Sequence, residues 1–415
     1  MKYLPRAVDA EIERALSSAP AVALEGPKGV GKTVTATRWA QSAWQLDDAA
    51  DRGALAADPR LIREAEPPVL LDEWQRHPPI WDAVRRWVDD GAAAGSALLT
   101  GSATPVSGVD THTGAGRIVS LRMRPMALFE RGSCAPSVSL GALLSGDDAV
   151  SGTTEFGLRD YLDEICASGF PGIRRMAEET RLDLLDGYLR RIVDRDLRDQ
   201  GLSVRRPETL RRWLTAFAAA TSTTTAYSRI LDATTGGDGT QPAKTTTIAY
   251  RDHLSAIWLL DPVPGWSPSF SPFARLQQAP KHHLADPALA ARLLRLHPEG
   301  MVRGRGAAMA GPLFEALATL TVRVAAQTHR GDVGHLRTGN GDHEVDLIVE
   351  GRDGRALGIE VKLARDIGDA DVRHLLWLRE RLGGDVANLV VLHAGPRAYR
   401  RPDGVCVVPL ALLGV

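Results

Sequence analysis

The run Gly26-Pro-Lys-Gly-Val-Gly-Lys32-Thr33 constrains the fold more than any other part of this 415-residue sequence. It fits the spacing G-x-x-x-x-G-K-[ST]. The apolar Ala21-Val-Ala-Leu comes before it and a helical pattern follows from Lys32. Glycines here let backbone N–H groups wrap phosphate oxygens with no Cβ in the way. The lysine reaches β- and γ-phosphates, and the hydroxyl after it binds magnesium. The helix that starts there turns its positive end toward the anion. Gly26, Pro27, Lys28, Gly29, Val30, Gly31, Lys32 and Thr33 therefore form a candidate nucleotide cradle.

Pro67-Pro68 then introduces Val69-Leu-Leu-Asp72-Glu73, an apolar strand tipped by two acids. Beside a phosphate loop, Asp72 is the candidate magnesium ligand, and Glu73 stands where it can orient or deprotonate the attacking water. A third apolar run, Ala97-Leu-Leu-Thr100-Gly-Ser102, ends in hydroxyls that can hold that water or sense the γ-phosphate. Thr100 is the first candidate and Ser102 the second. Arg117, in Gly114-Ala-Gly-Arg117, is the candidate charge-neutralising arginine, with Arg122 and Arg124 behind it. Helices are expected from 32 to about 44 and from 80 to about 90. Strands that alternate with helices give an α/β fold, with a parallel sheet flanked by helices.

Gly132–Gly157, rich in Ser, Gly and Pro, reads as a boundary, and Asp261–Pro280 as a second. The expected division is 1–145, 146–280 and 281–415. Residues 158–217 read as helical. Ala226–Thr234 and Pro242–Leu260 fit two helices of a helix-turn-helix around a Gly236–Gly239 loop. Lys244, Thr245, Thr246 and Arg251 would then meet phosphates or bases. The segment has no basic stripe, so a packing or protein-contact role stays open beside it.

Farther on, Glu344-Val-Asp346 leads through a Gly-rich turn to Glu360-Val-Lys362. Glu360 and Lys362 are two apart and share a strand face. Asp346 can join them from the preceding strand. Facing carboxylates make an oxygen site for a divalent cation, and a lysine beside them can position a water for phosphodiester attack. His343 and His374 lie nearby and read as ordinary surface or core histidines.

Formal net charge is −1, so no global basic field points to nucleic acid. Three widely spaced cysteines have no metal spacing and read as reduced, which fits the cytoplasm. The first residues hold no signal-like apolar run, and no stretch nears the roughly 18 uninterrupted apolar residues of a membrane helix. Among 50 Lys+Arg only six are lysine: Lys2, Lys28, Lys32, Lys244, Lys281 and Lys362. Where lysine persists, a compact rotatable ammonium is suggested in place of a planar fork.

Taken in order, Gly26–Thr33, Leu70-Leu-Asp-Glu-Trp-Gln75, Leu98-Leu-Thr-Gly-Ser102, Gly114-Ala-Gly-Arg117, Tyr188–Asp196, Leu313-Phe-Glu315 and Glu344–Lys362 resemble the prokaryotic AAA-type ATPases that carry a C-terminal domain of unknown function 4143. The resemblance covers nearly the whole chain. It implies an ATPase, a winged-helix-like middle and a PD-(D/E)XK nuclease-like end, with Glu315 matching an acid of some resolvase-like members. The Thr- and Gly-rich Ala218–Gln241 departs from the family's plainer helix-turn-helix start. The expectation is a magnesium-dependent ATPase whose turnover controls nucleic-acid contacts or the nuclease-like domain. The alternative is a nucleotide-dependent switch or protein-interaction scaffold with an inactive nuclease fold. A small-molecule kinase would use the phosphate loop but leaves the C-terminal set unexplained. ATP and Mg2+ are the expected cofactors, with a second Mg2+ or Mn2+ at Glu315, Asp346, Glu360 and Lys362. DNA or RNA, a second copy of the chain and an unidentified protein stay open as partners, and no membrane is expected.

Overall fold

The computed structural model describes residues 3–102, 115–197, 206–234, 243–267, 278–339 and 341–415. Ala21-Val-Ala-Leu is buried throughout, as a strand covered on both faces must be. It forms β1 (Ala21–Glu25) in a five-stranded parallel sheet. Its companions are β2 (Ser42–Gln45), β3 (Val69–Asp72), β4 (Ala97–Gly101) and β5 (Ile118–Arg122), in the order β2-β3-β4-β1-β5. Alternate residues feed two cores. Val22, Leu24, Leu70 and Leu98 pack with Val8 and Ile12 of the N-terminal helix. Ala23, Leu71 and Leu99 pack with Leu55, Ile80 and Val84 on the other side. Helices thus flank a parallel sheet, and the C-terminal ends of β1, β3 and β4 share one edge. Leu24 is level with Thr100, and Leu71 with Leu99, so Gly26, Asp72 and Thr100 come side by side.

The helix after the phosphate loop stops at Thr37, well before residue 44. Thr33, Val34, Thr35 and Thr37 are β-branched and support a long helix poorly. The chain instead turns into β2, which occupies the last residues of the expected helix.

The middle of the chain is helical, with Tyr161, Trp213, Phe217 and Leu254 buried in its core. The expected helix pair is present as Tyr227–Ala233 and Lys244–Ala256. Pro242 and the Gly236–Gly239 loop lie outside the described residues, as does Gly114. Arg251 is engaged locally: it is 3.2 Å from Asp252 and its guanidinium stands 5.2 Å from the Tyr227 ring centroid.

A seven-stranded mixed sheet closes the chain. Its strands are β7 (Gly152–Thr153), β8 (Asp332–Arg337), β9 (Glu344–Glu350), β10 (Ala356–Lys362), β11 (Val386–His393), β12 (Arg397–Arg400) and β13 (Cys406–Pro409), ordered β7-β12-β13-β11-β10-β9-β8. Helices Ala307–Thr328 and Asp369–Leu382 pack on it. β6 (Val138–Ser139) pairs with β14 (Leu413–Gly414). The boundary expected at Gly132–Gly157 therefore carries β6 and β7, two strands that join C-terminal partners. Among the described residues one helix, Ala307–Thr328, is long and apolar enough to cross a membrane, and 61% of its most apolar window is buried within the chain. Pro312 lies inside it, near its N-terminal end.

One buried carboxylate ties these parts together. Asp261 lies 3.1 Å from Arg122 and 2.9 Å from Arg124 at the end of β5, and 2.8 Å from Arg323 on the long C-terminal helix. Gln327 of that helix accepts from Arg124 at 2.8 Å and donates to Glu11 at 3.0 Å.

Candidate functional site

The loop after β1 is shaped by three glycines with positive φ: Gly26 at 154°, Gly29 at 76° and Gly31 at 105°. At Gly26 a Cβ would meet the Met123 carbonyl oxygen at 2.1 Å, so only glycine fits. Lys32 is buried and turns its ammonium back into the loop, donating to the carbonyls of Gly26 and Pro27 at 2.9 Å each. Lys28 points elsewhere and pairs with Asp196 at 2.6 Å. Arg6 braces the loop from outside, donating to the Val30 carbonyl at 3.1 Å.

The acid side of the site comes from β3 and β4. The Thr33 hydroxyl donates to Asp72 at 2.9 Å, and the Thr100 hydroxyl donates to the same carboxylate. Thr100 also accepts from the Glu73 N–H at 3.3 Å. Glu73 has φ 53°, a left-handed conformation that costs a non-glycine residue about 1–3 kcal/mol. Its carboxylate accepts from Gln75 and, at 3.4 Å, from Ser102. The geometry therefore brings Lys32, Thr33, Asp72, Glu73, Thr100 and Ser102 to one edge of the sheet. Thr33 and Asp72 supply the hard oxygen donors that a magnesium ion takes.

Burial pulls Lys32 down to about 8, against the attraction of Glu73 and Asp72. A triphosphate would offset that burial and keep the ammonium charged. Below pH 8 the free protein already carries this proton; above it, binding must take one up. ATP affinity is therefore expected to weaken as pH rises past 8, by up to about tenfold per unit. Calorimetric titrations at several pH values, in buffers of different ionisation enthalpy, would report both the weakening and the proton uptake.

Several residues of the site were not anticipated. A cleft of about 360 Å³ opens from the cradle and is lined by Tyr3, Arg6, Val34, Glu73, Pro171 and Arg175, among others. Tyr3 donates to Asp9 at 2.8 Å, and the Arg38 guanidinium stands 4.1 Å over its ring. Gly169-Phe-Pro-Gly172 was the available signal, a turn cluster inside a helical stretch. Gln75 stands in the Leu70–Gln75 segment of the family resemblance, without a role assigned to it there.

Arg117 needs correction. It stands just before β5, where Ile118 is level with Ala21, and its Nε is 2.5 Å from Asp89. The phosphate loop leaves the opposite end of β1, so Arg117 cannot reach the phosphates of its own chain. Arg122 and Arg124 are likewise committed to Asp261.

The C-terminal candidates do converge. Asp346 accepts from the Val361 N–H at 2.9 Å, and Lys362 contacts Glu360 at 2.6 Å. Burial, then the Asp346 charge, pushes both Glu315 and Glu360 up to about 8. An unanticipated residue lies at the centre. The Lys281 ammonium is 2.8 Å from Asp346, 2.9 Å from Glu315 and 3.3 Å from Glu344. Burial alone would lower it, but Asp346 and Glu315 outweigh that and hold it above the usual lysine range. Lys281 takes one oxygen each of Asp346 and Glu315, and Lys362 one of Glu360, so these residues do not fit a bound metal as they stand. Among the described residues no group of His, Cys, Asp and Glu is arranged to hold a metal ion. His343 stacks on Trp377 at 4.1 Å and approaches His374.

Three family models match separate parts of the chain. Residues 18–131 match a family model described as an AAA domain, 158–300 a domain of unknown function 8612, and 310–413 a domain of unknown function 4143. Uncharacterized protein Rv2008c of Mycobacterium tuberculosis is 25% identical over 417 residues, spanning 96% of this chain and 82% of its own. Uncharacterized protein Mb2031c of Mycobacterium bovis matches to the same extent, 25% over 417 residues. Among solved structures, the Walker-type ATPase PABY2304 of Pyrococcus abyssi aligns with a TM-score of 0.41 and 12% identity, over 70% of this chain and 96% of its own. One chain therefore carries an AAA domain at 18–131 and a domain of unknown function 4143 at 310–413.

Proposed function

We propose that the AAA domain binds ATP at the Gly26–Thr33 loop and hydrolyses it with magnesium. The observation that carries this is the meeting of Thr33 and Asp72 at 2.9 Å beside the buried Lys32. On this reading Lys32 leaves the Gly26 and Pro27 carbonyls for the β- and γ-phosphates. Thr33 and Asp72 would hold a magnesium ion, which would supply charge that neutralises the phosphates. Glu73, steadied by Gln75 and Ser102, orients the attacking water and accepts its proton. Thr100 fixes Asp72 and the Glu73 backbone together. The base would lie in the cleft between Tyr3, Val34 and Pro171. Neutralisation by Arg117 would require a second copy of the chain.

Replacing Lys32 by alanine is the direct test. ATP binding is expected to weaken about 10–100-fold, the value of one or two charge-assisted contacts, with turnover lost. ATP hydrolysis surviving in that variant at the original rate would sink the assignment.

What the nucleotide controls is the finer question. Two uses of the C-terminal domain follow from its resemblance to a nuclease: cleavage of nucleic acid gated by ATP, or a non-cleaving switch or scaffold. Lys281 within the carboxylate cluster favours the second. A partner, whether DNA, RNA or protein, would then be held or released as ATP turns over.

A further inference from the structure

The cluster formed by Glu315, Glu344 and Asp346 has the composition of a divalent-cation site, yet its cation is part of the chain. An ammonium has three N–H donors and no acceptor. Lys281 donates to Asp346 at 2.8 Å and to Glu315 at 2.9 Å, and forms an ion pair with Glu344 at 3.3 Å. Those distances suit an ammonium. Magnesium requires oxygens at about 2.1 Å with near-octahedral order. The second oxygen of Asp346 is held by the Val361 N–H, so neither oxygen of this carboxylate is idle.

Lys281 is not a mobile side chain reaching in by chance. It is 1% exposed. Its backbone forms a two-way bridge with Val263, at 2.9 and 3.0 Å. The next residues continue the brace: His282 N–H bonds to Thr223 and Asp261 N–H to His283, each at 2.9 Å. The segment that carries the ammonium is therefore tied to the loops that follow two of the middle helices, Pro207–Ala219 and Lys244–Ala256. A remaining feature points to a lost or latent ligand. Glu360 is 5% exposed, and its Oε2 has no hydrogen-bond partner.

We propose that Lys281 is a resident cation that replaces a divalent metal in the C-terminal carboxylate cluster, and that removing its ammonium turns the cluster into a divalent-cation site. The middle region thereby closes a site that the C-terminal strands would otherwise leave open to metal. This stands apart from the ATPase reading, because the cluster and its ammonium need no nucleotide.

Mn2+ titrated into nucleotide-free full-length protein, followed by electron paramagnetic resonance, tests it. Wild type and Asp346→Asn are expected to bind Mn2+ alike. Lys281→Met, which keeps the side-chain volume, is expected to melt at a lower temperature and to recover on addition of Mn2+. It should also gain one Mn2+ site that Lys281→Met/Asp346→Asn lacks. Mn2+ binding by wild type that depends on Asp346 would overturn the proposal. So would a Lys281→Met protein that neither gains the site nor recovers its folding with metal. Loss of ATP binding in Lys32→Ala leaves all of these readouts unchanged, so the two readings fail separately.

Discussion

Glu73→Gln is expected to lower ATP hydrolysis by roughly 10²–10⁴-fold, the contribution of a positioned general base, while ATP affinity changes only a few-fold. The substitution keeps the shape of the side chain and removes its ability to accept a proton. The environment of Glu73 suits that role. Its backbone is held in the left-handed region at φ 53°, and its N–H is fixed on Thr100 at 3.3 Å. Its carboxylate faces Ser102 and Gln75. Chain strain of this kind persists only when surrounding contacts over-determine it. Single-turnover hydrolysis and nucleotide binding measured on the same preparation separate the two effects. Equal losses in binding and turnover would assign Glu73 to holding nucleotide. Unchanged turnover would remove it from the chemistry.

Asp261→Asn is expected to destabilise the folded protein by about 3–5 kcal/mol, the cost of stripping one partner from a buried ion cluster. Arg122, Arg124 and Arg323 would then face one another with no counter-charge at the centre. Burial pulls Arg122 down to about 10 and Arg323 to about 9, and the Asp261 carboxylate is the charge that opposes this cost. Burial also acts to raise Asp261, but Arg124, Arg323 and Arg122 outweigh it and hold the carboxyl far below its ordinary range. Its folded-state value is thus depressed relative to the unfolded chain. The stability it contributes is fully present above about pH 4 and is lost as pH falls through and below that value. Urea denaturation across pH 3–7 checks both points. Wild type should lose stability toward the acid end, and Asp261→Asn should start lower and show a shallower slope. Equal stability of the two proteins at pH 7 would mean that the three arginines are solvated or paired in another way.

The parts of this chain that were readable in advance share a physical cause. The phosphate loop is built from backbone amides and consecutive residues, so its geometry is local. The strands Glu344–Glu350 and Ala356–Lys362 put Asp346 on one strand and Glu360 with Lys362 on the next, as the two-residue spacing suggests. The errors also have a cause. The helix from Lys32 ends at Thr37 and not near residue 44 because four β-branched residues sit in that short segment, and β2 takes a place at the sheet edge. Arg117 is close to the right strand in sequence but lies at its wrong end, which only the direction and register of β5 against β1 reveal.

Lysine scarcity came nearest to a tertiary signal. Of the six lysines, Lys28 meets Asp196, Lys32 holds the loop, Lys362 meets Glu360 and Lys281 fills the carboxylate cluster. The sequence suggested that these positions needed an ammonium, without naming the partners.

Residue order by itself determined the nucleotide cradle, the parallel α/β sheet that presents it and the carboxylate-bearing strands near the end. Those features follow from short-range spacing and from alternation of apolar residues. Only the tertiary structure decided that Lys281 reaches Asp346 across 65 positions and that Arg124 reaches Asp261 across 137. Contacts between segments so far apart depend on how helices and sheets pack together, and no local pattern encodes which charge will meet which.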